Sequence, residues 1–144
     1  MRDRIMKLLG LMRRANAVQT GEDNSGAAVQ AGKAKLLLLA ADASDNARRR
    51  AEHFVSGRRT QLITLPFEKE ELASGLGVNG GSMAAVTDLG FAGALMKLLA
   101  ELDPDTYGSA AEETARRCEK AQRRKKETAE RKTNKRTGIR RTNG

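Results

Sequence analysis

The stretch Thr20–Asp42, TGEDNSGAAVQAGKAKLLLLAAD, decides how this chain folds. Its first residues after Thr20 are small, acidic or amide-bearing, the composition that opens a helix. A short Ala/Val-rich helix over about Glu22–Ala31 follows, and Gly32 closes it. Leu36, Leu37, Leu38, Leu39, Ala40 and Ala41 then run unbroken, which predicts a strand buried on both faces. Glu22 and Asp23 complement the positive end of the helix dipole, and Thr20 or Asp23 can accept from a free backbone N–H. Helix capping alone would also explain these acids.

Upstream, Arg2–Arg14 carries Ile5, Met6, Leu8, Leu9, Leu11 and Met12 between basic residues, the repeat of an amphipathic helix. Val18–Thr20 fits a short edge strand. Downstream, Ser44 or Asp45 caps a third helix that runs to about Ser56, and Arg48, Arg49 and Arg50 fan around it at ~100° per residue. Thr60–Leu65 reads as a strand stopped by Pro66, and Glu68–Ser74 as a short helix. The glycine-rich loop Gly75–Ser82 leads into a strand over Met83–Thr87. Asp88 caps a last helix, Leu89–Leu102, which ends at Pro104. Strands alternating with helices predict an α/β fold, a three-layer α/β/α sandwich on a small mixed sheet.

Charge divides the chain. Of the net +9 over 144 residues, residues 1–103 contribute +2 and residues 104–144 contribute +7. The first segment is long enough for an ordinary core, so it is expected to be one domain. The second has alanine as its commonest apolar residue and only Ile139 as a large aliphatic one. It is expected to be a basic tail, disordered or transiently helical, that binds phosphate backbones by charge.

The single cysteine, Cys118, excludes an intramolecular disulfide and a multi-cysteine metal site, and the single histidine, His53, excludes a His-pair site. No nucleophile, base and orienting partner suggest a catalytic set. No apolar run approaches the ~20 residues of a membrane span. A soluble, cytoplasmic monomer without catalysis, cofactor or membrane contact is the expectation. Neither G-x-x-x-x-G-K-[ST] nor G-x-G-x-x-G occurs in a nucleotide-binding context. Three Phe, one Tyr and no Trp are too few for a sheet face that stacks bases. Any nucleic-acid contact therefore falls to loops and helix ends, where backbone N–H groups meet phosphates and short polar side chains meet base edges.

The runs TGEDNSGAAVQAGKAKLLLLAADASDN, QLITLPFEKEELASGLGV and MAAVTDLGFAGAL, in that order over about Lys7–Leu99, resemble the kink-turn-binding ribosomal-protein superfamily. The closest resemblance is to its bacterial YlxQ-type branch. It implies a non-catalytic α/β/α domain whose partner is structured RNA, a kink-turn or ribosomal RNA. In that family the turn opening the second helix reads the sheared G·A pairs of a kink-turn, and an apolar residue before the last strand packs on an extruded nucleotide. Carried over by position, the RNA-binding residues are Gly21, Glu22, Asp23, Asn24 and Ser25 of the turn, Lys33 and Lys35 at the far end of the helix, and Val78, Asn79, Gly80 and Met83 of the packing loop; Arg48, from the arginine run of the third helix, is expected to face the same polyanion. The family's readers carry Gly, any residue, then Asn-Glu, where this chain has Asp23-Asn24. An Asp there loses the amide donor and adds a negative charge near phosphates. The altered turn leaves a second expectation, a protein-interaction module attached to the translation or transcription machinery.

Overall fold

A computed structural model of the chain describes the backbone of residues 1–142 and the side chains of residues 1–132. Ten elements follow in the order α1 (Arg2–Arg14), β1 (Val18–Thr20), α2 (Glu22–Gln30), β2 (Leu36–Leu39), α3 (Asp45–Val55), β3 (Gln61–Thr64), α4 (Lys69–Leu76), β4 (Met83–Val86), α5 (Leu89–Leu102) and α6 (Pro104–Thr142). The strands form one sheet in the order β1-β4-β2-β3. β2 pairs with β3 in parallel, while β4 runs antiparallel to both β1 and β2. The sheet is mixed, as the alternation of elements predicts.

The leucine run of β2 builds both halves of the core. Successive side chains of a strand point to opposite faces. Leu36 and Leu38 join Ala84, Val86 and Ile63 beneath α1, α4 and α5. Leu37 and Leu39 join Met83 and Ala85 beneath α2 and α3, whose Val29 and Ala51 are buried. The result is the three-layer α/β/α sandwich. Pairing of β2 stops at Leu39, short of Ala41, because the next two amides leave the sheet: Ala40 donates to the Ser82 carbonyl (2.8 Å) and Ala41 to that of Phe67 (2.8 Å).

Two of the caps expected from the sequence are present, whereas neither Thr20 nor Asp23 caps α2, whose N-cap is Gly21 and accepts through no side chain. Ser44 accepts from the Ala47 amide at 3.1 Å and Asp88 from the Phe91 amide at 2.9 Å. Each satisfies an otherwise free N–H of a first helical turn.

Residues beyond 103, expected to be a basic, transiently helical segment, form the helix α6. Pro104 ends α5 and also begins α6, a position where its missing N–H costs nothing. The first turns of α6 pack against the preceding residues. Tyr107 is buried in the same core as α1 and α5, and its hydroxyl donates to the Thr64 carbonyl at 2.6 Å. Gln61 donates to the Thr114 hydroxyl at 2.9 Å, and Thr114 itself is buried. At Gly93 the two helices come so close that an added Cβ would lie 2.8 Å from the Cys118 sulfur. A glycine on α5 thus lets a helix of small side chains bury its surface, which the count of large aliphatic residues did not capture. Residues 143 and 144 of the expected tail lie outside the described residues.

Candidate nucleic-acid interface

Strand directions give the sheet two distinct ends. Thr20, Leu39, Thr64 and Met83 mark one, and Val18, Leu36, Gln61 and Val86 mark the other. The β1–α2 turn and the α4–β4 loop, distant in sequence, meet at the first.

Gly21 joins them. Its amide donates to the Met83 carbonyl at 3.1 Å, and its φ of 91° is accessible at little cost only to glycine. A Cβ built on Gly81 would lie 3.9 Å from the Gly21 Cα, so turn and loop are in van der Waals range. Asp23, Asn24, Asn79 and Gly80 are exposed there, and Glu22 is half-exposed. The Asn24 side-chain Nδ2 donates to the Thr20 carbonyl at 3.1 Å, which closes the turn.

Both acids of the turn are held by one residue of α3. The Arg50 guanidinium donates to Glu22 Oε2 at 2.7 Å and to Asp23 Oδ1 at 2.9 Å. Those hydrogen bonds, the Asp23 one foremost, raise its pKa above the ordinary arginine value, so it stays charged. Arg50 also lies over the Phe54 ring, 5.4 Å from its centre, one helical turn along α3. Phe54 in turn occupies the space a side chain at Gly26 would need. The sequence Glu22, Asp23, Gly26 on α2 therefore fits against Arg50 and Phe54 on α3. Two carboxylates against one guanidinium leave this patch with a formal charge of −1.

Several residues assigned to the turn end are placed otherwise. Ser25 is fully buried, and its hydroxyl has no partner among the described residues, because α2 turns it inward one position after the exposed Asn24. Met83 is the first residue of β4 and is buried under α2 and α3. Val78 follows the last turn of α4, its amide bonded to the Ala73 carbonyl at 2.9 Å, and its side chain packs half-buried against the α1/α4/α5 core. In this conformation neither Met83 nor Val78 presents a free apolar side chain. Arg48 is at the same end but over the outer strand, with Nη1 3.5 Å from Thr64 Oγ1.

Lys33 and Lys35 are at the opposite end of the sheet. The nine residues of α2, at ~1.5 Å per residue, span about 14 Å between them and Gly21. The Lys35 amide donates to the Val86 carbonyl at 2.6 Å. Nearby, Arg58 Nη1 donates to the carbonyls of Val29 (3.0 Å) and Gln30 (3.3 Å), capping the C-terminus of α2. Arg50 and Arg58 thus hold the two ends of α2, a pairing that sequence reasoning did not assign to either. Their partners lie 26 or more residues away, and only the helix-terminal position of Arg58 gave a local signal.

No protein-family model matches this chain. It is 38% identical over 96 residues to the RNA-binding protein YlxQ of Bacillus subtilis, a match that covers 64% of this chain and 91% of that relative. Among solved structures, a protein of unknown function from Bacillus halodurans superimposes with a TM-score of 0.61 at 26% identity, covering 65% of this chain and 94% of the other. The 15.5 kD RNA binding protein of Giardia lamblia superimposes with a TM-score of 0.53 at 20% identity, covering 70% and 82%. The last likeness is one of fold.

Proposed function

This chain belongs to the bacterial YlxQ branch of the kink-turn-binding ribosomal-protein superfamily, and from that premise we propose that it is an RNA-binding protein. Its partner on this reading is structured RNA, a kink-turn or ribosomal RNA, bound in the cytoplasm without catalysis as part of a ribonucleoprotein of the translation machinery. The observation that carries the reading is the junction of the β1–α2 turn with the α4–β4 loop at Gly21. It sets Asn24, Asn79 and the loop glycines on one exposed edge, where short polar groups and backbone can approach bases and sugar-phosphate.

The test compares a kink-turn RNA, the same RNA with its G·A pairs replaced, and a plain duplex. Recognition of the kink by paired polar groups favours the first by about tenfold or more, since each lost hydrogen bond to a base costs on the order of 1 kcal/mol. Equal affinity for all three would reduce the interaction to charge.

A protein-interaction module of the translation or transcription machinery is the second reading, favoured by the acidic balance of the Glu22, Asp23 and Arg50 cluster. A partner that stays bound after nuclease treatment, with no RNA retained by the purified protein, would select it.

A further inference from the structure

The opposite end of the sheet holds a cleft of roughly 570 Å³ between the C-terminal ends of α2 and α3, the start of α5 and one face of α6. Six cations line it, Lys35, Arg58, Arg59, Arg117, Lys120 and Arg124, and no carboxylate or aromatic side chain does. They come from three separate parts of the chain: the α2–β2 connection, the α3–β3 connection and α6. Arg117, Lys120 and Arg124 are spaced i, i+3 and i+7, which puts them on one face of the helix.

Part of that charge is already matched. Arg58 caps α2, and Arg117 Nε donates to Glu113 Oε1 at 3.2 Å, a carboxylate shared with Arg116 at 2.7 Å. Asp88 lies next to the lining residue Leu89, occupied as the cap of α5. The ends of α2 and α3 contribute about −0.5 charge each, roughly −1 in all, which does not balance six cations. Lys35, Arg59, Lys120 and Arg124 make no ion pair among the described residues. Like charges gathered in one concavity repel, and an anionic partner relieves that cost.

We propose that this cleft is a second RNA-contacting surface, which holds a segment of phosphate backbone while the turn end reads RNA shape. The proposal rests on the RNA-binding reading above. Arg117, Lys120 and Arg124 alone extend over about 10 Å of α6 at ~1.5 Å per residue, which suits a run of phosphates better than one small anion. Without an aromatic ring in the lining the cleft offers no stacking platform, so it tracks backbone and is indifferent to sequence. Half of its cations come from α6. Contact at both ends of the sheet would let one RNA run along the α2/α3 layer.

The experiment uses the full chain and two triple variants of equal charge loss. One removes the exposed cleft cations, Arg59→Gln, Lys120→Gln and Arg124→Gln. The other removes α6 cations that do not line the cleft, Arg123→Gln, Lys126→Gln and Arg131→Gln. Binding to a kink-turn RNA with duplex arms is measured across a salt series, with circular dichroism to verify the fold. The cleft variant is expected to lose about tenfold or more in affinity and to flatten the log–log salt slope by about 2–3, one phosphate contact contributing about 0.9. The control variant is expected to change affinity by less than about threefold. Bound RNA should also shield the Lys35 and Lys120 amines from acylation, read by mass spectrometry. Equal losses in both variants would overturn the cleft and leave diffuse attraction to α6. Unchanged affinity in the cleft variant would also overturn it, with RNA binding intact. Absence of RNA binding by the wild-type chain would instead remove the underlying reading. Nuclease-resistant retention of an acidic protein that the cleft variant loses would overturn the assignment to RNA.

Discussion

The two ends of the sheet in this protein are built on opposite electrostatic plans. At the turn end, Glu22 and Asp23 are tied to Arg50, and the adjoining loop from Gly77 to Ser82 contains no charged residue. At the other end, six cations line a cleft without a carboxylate. The turn end is fixed by hydrogen bonds of defined geometry and suits recognition of shape. The opposite end supplies charge, which acts over about 8 Å at physiological salt and discriminates little between sequences. The difference teaches that residues sharing one short helix need not share a surface. α2 begins at the first end with Gly21 and stops near the second before Lys35, so it connects two surfaces of different character.

The most severe way to break this comparison is to unseat α6, which carries half of the cleft cations. Tyr107→Ala removes a buried ring and its hydrogen bond to Thr64, and is expected to cost about 3 kcal/mol in urea unfolding. Salt-dependent RNA affinity should fall with it, while the kink-turn preference over the G·A-replaced RNA is retained. Loss of both properties together would mean that the ends are not separable.

Gly26→Ala acts at the turn end. The new methyl group meets the Phe54 ring and is expected to destabilise by about 1–3 kcal/mol, measured by thermal unfolding. Displacing Phe54 also disturbs Arg50 above it, so kink-turn preference should drop while the salt slope is unchanged.

A smaller effect separates burial of Tyr107 from its hydrogen bond. Tyr107→Phe keeps the ring and is expected to lose about 1 kcal/mol. Burial, reinforced by Asp103, raises the phenol's pKa above its ordinary value of 10.0. The folded state therefore favours the neutral form. The stability this gives is complete below pH 10 and is lost as pH rises through the raised value. The wild-type urea midpoint should fall more steeply than that of Tyr107→Phe above pH 10, and parallel curves would remove the phenol from the account.

The gentlest change sharpens the turn end. Asp23→Asn restores an amide where the family's readers carry one and removes a negative charge from the patch. Kink-turn affinity is expected to rise by about three- to tenfold, the value of one hydrogen bond, with the salt slope of the cleft unaltered. A fall in affinity would show that the Asp23 ion pair with Arg50 holds the turn in its binding shape.

Much of the architecture was legible because it is encoded locally. The apolar repeat of Arg2–Arg14 and the Asp88 cap before Leu89–Leu102 gave α1 and α5 with their observed bounds. Four consecutive leucines gave a strand covered on both faces. Few large aliphatic residues after position 103 gave a basic segment without a core of its own, and only the structure shows that Tyr107, Thr114 and the close approach at Gly93 seat the start of α6 on the domain. The candidate site was less legible than the fold. Asn24 and Asn79 are exposed as a binding edge requires, whereas Ser25 and Met83 are buried, a distinction that depends on which face of α2 and β4 meets the core.

By itself, then, the sequence determined the element order, the caps of α3 and α5, the two-sided core strand and the concentration of positive charge at one end of the chain. Those properties follow from residue spacing and side-chain chemistry within a few turns of backbone. Only the tertiary structure decided which groups face one another. It joined Arg50 to Glu22 and Asp23 across 28 and 27 residues, placed Lys35 at the far end of the sheet from Gly21, and brought Arg59 to the same cleft as Lys120. Such pairings depend on strand order and helix packing, because electrostatics and hydrogen bonding act through space and not along the chain.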